Sequence, residues 1–359
     1  MALTGNKGEW SEIYVLFKLL GDKELYAGDE NLNKIESLVY PIIKILRKEQ
    51  DNDFVYKVDG DFIVVSGGEE IRIPIEQFTK QACHLLTKIK EATGSSFSIP
   101  EVEMFMSSVS CSSLKACSTD KTDIKIVIHD LRTGTTPLLG FSIKSQLGSP
   151  STLLNPGIPT NITYRIRDVR FNDKQIKAIN SIDTHSKIMD RINAIKKLGG
   201  ELEFSKVDHT VFKDNLVIID SCMPGIIGEA LKIFFTTKNT TVKDVVDVLE
   251  TEDPLNYKAT SGHKFYEYKF KRLLTDAALG MTPAKVWNGH YDANGGYLVV
   301  KDNGEVLCYH IYNKNEFENY LFCNTHFETP SSTRYGFGRI EKDGDDFIFK
   351  LNLQIRFTK

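Results

Sequence analysis

Two predicted β-strands joined by a turn, over residues 122–149, constrain the fold more than any other stretch of this 359-residue chain. Isoleucines alternate with other residues over 124–129, which predicts a strand that Asp123 begins. The sequence RTGT at 132–135 predicts a turn, and a second strand is expected over 139–145. The chain therefore has a β-hairpin in its middle, with an acid at one end of the first strand.

Three polar side chains share one face of the second strand. Period-two alternation puts Ser142, Lys144 and Gln146 on the same side, and a hairpin can bring that side next to Asp123. Mg²⁺ prefers oxygen ligands, typically one or two carboxylates with water and phosphate oxygens, and a lysine beside it can hold or polarise an attacking water. This pattern indicates a magnesium site that cleaves phosphodiesters. The alternative is that Asp123 only caps a turn and Lys144 is a solvated strand residue.

The spacing of these residues resembles a known motif. Asp123, a gap of 18 residues and then Ser142-x-Lys144 are similar to the PD-(D/E)XK nuclease superfamily, with Ser142 where the second acid usually stands. The longer stretches KGEWSE at 7–12, GFSIKSQLGSPSTLLN at 140–155 and KLNLQIRF at 350–357 resemble the HpaII type of restriction endonuclease. The resemblance covers nearly the whole chain. It implies an α/β (α+β) fold, in which a nuclease core of mixed sheet is flanked by helices and carries an added β-rich recognition region.

The same resemblance implies a function. It predicts a type II restriction endonuclease that uses Mg²⁺ to cut double-stranded DNA at CCGG after the first C. A two-fold-symmetric site suggests a homodimer, or a monomer that cuts the strands in turn, and no nucleotide cofactor is expected. Two other interpretations remain open: a non-catalytic DNA-binding protein on a nuclease-like fold, which Ser142 favours, and a repair or structure-specific nuclease.

Ser142 leaves one acid of the motif to be supplied from elsewhere. Residues 9–20 predict a helix in which Glu9 and Glu12 border the apolar stripe. Nucleases of this superfamily often take a further metal-directed glutamate from an N-terminal helix, so the resemblance favours Glu12 as a second metal ligand, with Glu9 next. For Glu9, enrichment of acids at a helix N-terminus is an equally good explanation.

Charge and arginine positions predict where DNA binds. The net charge is −3, but residues 121–200 carry 13 Lys and Arg against six Asp and no Glu, a local excess that suits a polyanion. A strand-like segment at 161–171 holds Arg165, Arg167 and Arg170, and a glycine- and serine-rich loop at 329–339 holds Arg334 and Arg339. Arginine can donate two hydrogen bonds to guanine, and Arg334 and Arg339 are the first candidates for this contact, with Arg165 and Arg167 as the second set. The serine run at 107–118 could also contact phosphates, and surface residues without a special role are the alternative in each case.

The remaining pattern predicts the organisation of the chain. We expect an N-terminal helical region with a small antiparallel sheet at 1–100, the catalytic core at 101–200, and a helical, then β-rich, DNA-recognition region at 201–359. Further predicted elements are helices at 31–48, 75–92, 183–198, 224–236, 242–249 and 264–279, strands at 55–58, 61–65 and 70–74, a hairpin at 207–220, and antiparallel β-structure over 284–359.

Composition excludes several classes of protein. The sequence contains no run of about 18 apolar residues, so no membrane span is expected. The first residues lack an apolar signal region, and a cytoplasmic protein is therefore expected. The six cysteines form no CxxC pair and suit no zinc site, which predicts free thiols in a reducing compartment.

Overall fold

The computed structural model describes residues 2–49, 52–116, 122–258, 262–291 and 294–359. The α-helices are α1 Lys7–Asp22, α2 Ile75–Glu91, α3 Pro100–Ser108, α4 Asp173–Asn180, α5 Lys187–Lys197, α6 Thr210–Ile219, α7 Met223–Thr236, α8 Val242–Glu252, α9 Phe265–Leu279, α10 Lys314–Cys323 and α11 Ser332–Tyr335. The strands are β1 Glu24–Gly28, β2 Lys34–Glu49, β3 Asn52–Asp59, β4 Phe62–Ser66, β5 Ile71–Pro74, β6 Ile124–Ile128, β7 Leu138–Ser145, β8 Thr152–Leu154, β9 Asn161–Arg167, β10 Glu201–Val207, β11 Gly296–Val300, β12 Val306–His310, β13 Thr325–Phe327, β14 Ile340–Asp343, β15 Asp346–Asn352 and β16 Ile355–Phe357.

The chain divides into two compact units. The first comprises residues 1–151, 291–320 and 359, and the second comprises residues 152–290 and 321–358. These units group the chain differently from the three-part division expected from sequence, because 1–100 shares one sheet with the Asp123 hairpin. The three-part division remains a prediction about which segments carry which function.

The first unit is built on a nine-stranded mixed sheet. Its order is β1-β12-β11-β7-β6-β2-β3-β4-β5, and the pairs β1–β12 and β11–β7 are parallel while the others are antiparallel. The predicted strands at 55–58, 61–65 and 70–74 are confirmed as β3, β4 and β5, and they form one end of this sheet. The mixture of helices and sheets agrees with the expected α/β (α+β) class.

Helix α1 lies at the centre of the first unit. Asn6 caps it through a capping box with Glu9, in which each side chain accepts from the other residue's backbone N–H. Nine of its sixteen residues are buried, and Phe17 packs edge-to-face with Phe78 and Phe105 at centroid distances of 5.9 and 5.1 Å. The predicted helix at 9–20 is confirmed, and its burial fixes the position of the acids on its first two turns.

The predicted helix at 31–48 is wrong, because Lys34–Glu49 is one long strand, β2. Its apolar residues fit a helical stripe, but several are β-branched, and Ile42 and Ile45 lie opposite Ile128 and Ile126 of β6. The pairing shifts register between Ile42 and Lys44, next to Pro41, which has no N–H to donate. Tertiary pairing with β1, β3 and β6 therefore decides the structure of this segment.

The second unit holds two smaller sheets and most of the helices. The sheets have the orders β10-β9-β15-β14 and β13-β16-β8. The helices expected at 75–92, 183–198, 224–236, 242–249 and 264–279 are found as α2, α5, α7, α8 and α9, the first of them in the other unit. The predicted hairpin at 207–220 is wrong, since 210–219 forms α6 with Phe212, Asn215 and Leu216 buried on one face.

The C-terminal third is only partly the antiparallel structure that its turns predicted. Strand β11 pairs in parallel with β7, and residues 314–323 form α10. Parallel pairing joins segments far apart in sequence, so no local turn signal marks it. The antiparallel pairs β11–β12 and β14–β15 agree with the prediction.

No helix in the described part of the chain is long and apolar enough to cross a membrane. Cys83, Cys111, Cys222, Cys308 and Cys323 are free thiols, as the sequence predicted for the cysteines, and Cys117 lies outside the described residues, as does Ser118 of the serine run.

Candidate active site

The hairpin formed by β6 and β7 brings Asp123 opposite Ser142. Ile124 pairs with Phe141, and the Asp123 N–H donates to the carbonyl of Phe141 at 2.8 Å. Asp123 therefore lies immediately before β6 and beside the middle of β7. The predicted two-strand arrangement around Asp123 is present.

Hydrogen bonds connect the acid to the lysine through one hydroxyl. Asp123 Oδ2 accepts from Ser142 Oγ at 3.0 Å and from the backbone N–H of Ile143 at 2.6 Å. Lys144 Nζ donates to the same Ser142 Oγ at 3.1 Å. Asp123 Oδ1 makes no hydrogen bond to the described residues, so this oxygen is available for a cation.

Lys144 is held in a partly desolvated position. Its ammonium lies 4.8 Å from the centre of the Tyr297 ring, on the neighbouring strand β11. Burial lowers the pKa of the Lys144 ammonium, and the negative charges of Asp123 and Glu12 oppose this effect. The site therefore holds an amine that loses its proton more easily than a surface lysine does.

Glu12 supplies a second carboxylate from α1. The helix packs against β7, where Ser11 Oγ donates to Ser145 Oγ at 2.8 Å. Burial, and after it the nearby charge of Asp123, raise the pKa of Glu12 to about 8. The Glu12 carboxylate makes no hydrogen bond to any described residue. Two neighbouring acids are an arrangement that a bound metal ion would stabilise.

Glu9 has a different environment from Glu12. Its Oε2 accepts from the Asn6 backbone N–H at 2.8 Å within the capping box, and its Oε1 lies 3.1 Å from Lys115 Nζ. The Asn6 hydrogen bond lowers the pKa of Glu9, and Lys115 contributes in the same direction. Both carboxylate oxygens of Glu9 are thus occupied by the helix cap and the lysine, which makes Glu12 the better candidate for the metal.

Gln146 follows the end of β7. Its backbone N–H continues the pairing with β11 by donating to the Val300 carbonyl at 2.9 Å. The side chain is partly buried and makes no hydrogen bond within the part of the chain that the structure describes. The structure therefore leaves Gln146 at the edge of the cluster without a defined partner.

The cluster fits a small divalent cation by its donor set. Asp123 and Glu12 offer carboxylate oxygens, and Ser142 offers a hydroxyl. The described residues contain no group of three or more His, Cys, Asp or Glu that could hold a metal, so this cluster has two acids rather than a larger ligand set. One or two carboxylates completed by water and phosphate oxygens is the usual set for Mg²⁺.

The serine run contributes to a buried network that the sequence did not reveal. Ser112 and Ser113 donate to Glu49 Oε2 at 2.7 and 2.8 Å, and Glu49 forms a buried ion pair with Arg47. Arg47 also donates to the Ser113 carbonyl at 2.5 Å. These serines are thus bonded within the protein, and the network fixes the segment that brings Lys115 to Glu9. No local pattern links residues 47–49 to 112–115, so sequence reasoning missed both.

The five arginines expected to bind DNA all lie in the second unit and are exposed. Three already have partners: Arg165 lies 3.7 Å from the carboxylate of Asp346, Arg167 pairs with Glu203, and Arg170 donates to the Asp345 carbonyl.

Arg334 and Arg339 differ from these three, because neither forms an ion pair with a described acid. The guanidinium of Arg334 lies 5.4 Å from the centre of the Tyr335 ring. Arg339 lines a cavity of about 510 Å³ together with Arg191, Lys187 and Asp183. The loop at 329–339 therefore presents less compensated positive charge than β9 does.

Comparison with known proteins identifies the family. The model of the HpaII restriction endonuclease family matches residues 6–357. The type II restriction enzyme HpaII of Haemophilus parainfluenzae is 49% identical over 358 residues, which cover 99% of this chain and 98% of that protein. No solved structure matches the chain. The chain therefore belongs to the HpaII family of restriction endonucleases, and it is a site-specific deoxyribonuclease.

Proposed function

We propose that this enzyme hydrolyses double-stranded DNA at CCGG in a Mg²⁺-dependent reaction, with Asp123, Glu12, Ser142 and Lys144 as its catalytic cluster. The observation that carries the assignment is the hydrogen-bonded series from Asp123 through Ser142 to Lys144, with Glu12 beside it. The 49% identity to the enzyme HpaII supports CCGG as the sequence recognised. By the same resemblance, the cut follows the first C and leaves 5′ overhangs.

The acids would hold the metal from two different elements. Asp123 presents its free Oδ1 from the start of β6, and Glu12 presents its carboxylate from α1. When bound, Mg²⁺ neutralises charge that develops on the phosphate and lowers the pKa of bound water. Glu12 forms no ion pair with a described residue, and its raised pKa of about 8 keeps it largely protonated at neutral pH, so a bound cation would take the place of that proton. Glu9 supports the cluster indirectly, by holding the helix cap and Lys115.

Lys144 would act on the water and the phosphate. Its partial desolvation lowers the pKa of the ammonium, which makes it a better partner for proton movement at the attacking water. Ser142 Oγ accepts from Lys144 and donates to Asp123, so one hydroxyl fixes both groups relative to each other. This role of Ser142 explains how a serine can replace an acid of the motif. The hydroxyl connects Asp123 to Lys144, while α1 supplies the second carboxylate. Gln146 lies next along this face as a supporting residue.

Recognition is assigned to the second unit. Arg334 and Arg339 are our first candidates for contacts with guanine, since neither guanidinium forms an ion pair with a described acid. Arg165, Arg167 and Arg170 remain candidates for the DNA backbone, where they would exchange their present partners for phosphates. This assignment makes the sheet of the first unit with α1 the nuclease core of the PD-(D/E)XK type, whereas the division expected from sequence set the core at 101–200 and the recognition region at 201–359.

The symmetry and chemistry of the DNA substrate bear on the number of subunits, the cofactor requirement and the location of the enzyme. A palindromic site suits a homodimer with one active site per strand, and a monomer that cuts the strands in turn is the other arrangement. No nucleotide cofactor is needed for hydrolysis of a phosphodiester. DNA as a substrate agrees with a cytoplasmic location.

A digestion experiment tests the proposal. Purified protein is incubated with plasmid of known sequence, with and without Mg²⁺, and the fragments are mapped at nucleotide resolution. We expect cuts at every CCGG with Mg²⁺ and none with EDTA. Fragments that ignore CCGG would support a repair or structure-specific nuclease instead, and retention of the plasmid without cleavage would support a DNA-binding protein.

Two variants connect the activity to the cluster. Asp123→Ala and Lys144→Ala should each abolish cleavage while the protein stays folded by circular dichroism. Lys57→Ala is the matched control, because Lys57 is an exposed lysine of the same sheet with no ion pair to a described residue. Near-normal cutting by either cluster variant overturns the assignment of the site.

A further inference from the structure

Arg191 of α5 is a buried arginine with an unusual set of partners. It is 3% exposed, and its guanidinium donates to three backbone carbonyls: Ile182 at 3.1 and 2.6 Å, Asn180 at 2.9 Å and Gly338 at 2.6 Å. No described acid forms an ion pair with it. Burying an arginine that is paired only with carbonyls is unfavourable unless every donor is well placed, so the three carbonyls must be held where Arg191 needs them.

The carbonyl of Gly338 belongs to the loop that carries Arg334 and Arg339. Other tethers fix the same loop from its inner side. Asn161 Nδ2 donates to the Tyr335 carbonyl at 2.8 Å, and the Gly338 N–H donates to the Lys350 carbonyl at 2.8 Å. Asn180 is bonded to Ile340 in both directions, at 2.8 and 3.0 Å. Arg191 also donates to the Asn180 carbonyl. The arginine therefore contacts both segments that the hydrogen bonds between Asn180 and Ile340 join.

The loop backbone has a conformation that depends on these contacts. Gly338 has φ 79°, in the left-handed region, and a Cβ there would lie 2.1 Å from Ile188 Cδ1. The peptide at 338 therefore passes close to α5, the helix that carries Arg191. This approach brings the guanidinium of Arg191 within reach of the loop.

The outer side of the loop faces solvent. Arg334 and Arg339 are exposed there, and Arg339 lies close enough to Arg191 for its charge to lower the pKa of the buried guanidinium, after the larger effect of burial. A second cavity of about 590 Å³ borders the same loop and is lined by His185, Lys187, Lys238 and the hydroxyls of Ser331 and Thr333, with no acid among its lining residues. Hydrogen-bond donors and positively charged side chains thus line this second cavity beside the loop.

We propose that Arg191 is a positioning residue for sequence recognition, which presets the loop at 329–339 so that Arg334 and Arg339 meet the edges of guanines. This inference rests on the proposed cleavage of CCGG. A loop already ordered before binding loses less entropy on the DNA. A bidentate arginine–guanine pair is worth roughly 5- to 150-fold in discrimination between bases, and this is lost when the arginine is displaced.

The test measures selectivity. Arg191→Lys keeps the positive charge, but three donors on one nitrogen cannot span three carbonyls as a planar guanidinium does. The ratio of kcat/KM on a duplex containing CCGG to that on the same duplex with one base pair changed is measured below the melting temperature of each variant. We expect this ratio to fall at least tenfold in Arg191→Lys, while the single-turnover rate at saturating CCGG duplex stays within about threefold of wild type.

Asn215→Ala is the matched control. Asn215 is 2% exposed, and it tethers a different loop of the same unit by donating to the carbonyls of Thr282 and Lys285 at 3.1 and 2.8 Å. This variant should lower the melting temperature and leave the selectivity ratio unchanged. A ratio that stays at the wild-type value in Arg191→Lys, or that falls equally in the control, overturns the inference.

A second variant keeps the test decisive if Arg191→Lys does not fold. Asn180→Ala removes both bonds to Ile340 and keeps Arg191, and it should lower the ratio in the same direction; an unchanged ratio counts against the inference. The proposed function is tested separately by the wild-type enzyme, whose cut sites on mapped DNA show whether CCGG is the sequence recognised. If another sequence is cut, the same ratio measured there still tests Arg191.

Discussion

Glu12 is the residue whose substitution tests the proposed metal site most directly, even without DNA. Its pKa is raised to about 8 from the usual 4.5, by burial and by the charge of Asp123. The folded protein therefore keeps this proton at pH values where the unfolded chain has released it. Such a group destabilises the fold progressively as pH rises from about 4.5 to about 8, and by a constant amount above that. Glutamine resembles the protonated acid and carries no such penalty.

The expected size follows from the shift. Taken at face value, a change from 4.5 to about 8 corresponds to roughly 5 kcal/mol. Glu12 is only partly buried, so water screens the carboxylate, and we expect about 1–2 kcal/mol. Glu12→Gln should then be more stable than wild type by this amount at pH 8.5 and nearly equal to it at pH 5. The melting temperature at pH 8.5 should rise by about 2 °C or more.

Thermal unfolding at both pH values, with EDTA or with 10 mM Mg²⁺, measures the effect. Mg²⁺ should stabilise the wild-type protein at pH 8.5, since binding to the folded state raises its stability, and it should stabilise Glu12→Gln much less. Glu9→Gln is the control on the same helix. Its pKa is lowered, so its charge stabilises the fold above the usual range of a glutamate, and its loss should destabilise the protein. Parallel pH profiles for wild type and Glu12→Gln, or equal stabilisation of both by Mg²⁺, would refute the reasoning.

Three further substitutions separate chemistry from binding. Lys144→Met should lower the single-turnover cleavage rate by about a thousandfold or more while CCGG duplex is still bound in a gel-shift assay; strong cleavage would contradict its role at the reacting phosphate. Ser142→Ala should lower that rate by roughly 10- to 100-fold, because one hydroxyl connects Asp123 and Lys144 by charge-assisted hydrogen bonds; an unchanged rate would make the hydroxyl incidental. Arg334→Ala should reduce discrimination between CCGG and altered sites by about 1–3 kcal/mol, whereas Arg167→Ala, already paired with Glu203, should change it by less than about 1 kcal/mol. The opposite order would move recognition to β9.

The hairpin that carries Asp123, Ser142 and Lys144 was predictable because all of its information is local. Alternating isoleucines before a turn and a matching strand after it fix which face Ser142 and Lys144 share. The register that brings Asp123 opposite Ser142 then follows from the length of the connection. By contrast, the long strand β2 was taken for a helix, since its apolar residues satisfy both a helical stripe and a buried strand, and only pairing with β6 distinguishes the two.

The choice between Glu9 and Glu12 shows where periodicity stops being informative. Both acids border the buried stripe of α1, so the sequence left both as candidates. The distinction comes from contacts made at long range and at the helix end: Asn6 and Lys115 occupy Glu9, while the packing of α1 on β7 leaves Glu12 beside Asp123. A capping pattern of Asn6 followed three residues later by Glu9 is visible in the sequence and could have favoured Glu12.

For the arginines, the charge counted along the sequence differs from the charge on the folded surface. Sequence counts gave residues 121–200 an excess of positive charge, which favoured β9 as a DNA-binding strand. In the fold, β9 pairs with β10 and β15, whose Glu203 and Asp346 come from outside the counted stretch and face Arg167 and Arg165. A local charge excess is therefore not a surface charge excess when the neighbouring strands bring the opposite sign. In the loop at 329–339 neither Arg334 nor Arg339 forms an ion pair with a described acid, although Asp183 and Glu341 line the same cavity as Arg339. The loop therefore stays the first choice for base recognition, as it was from the sequence, and β9 the second.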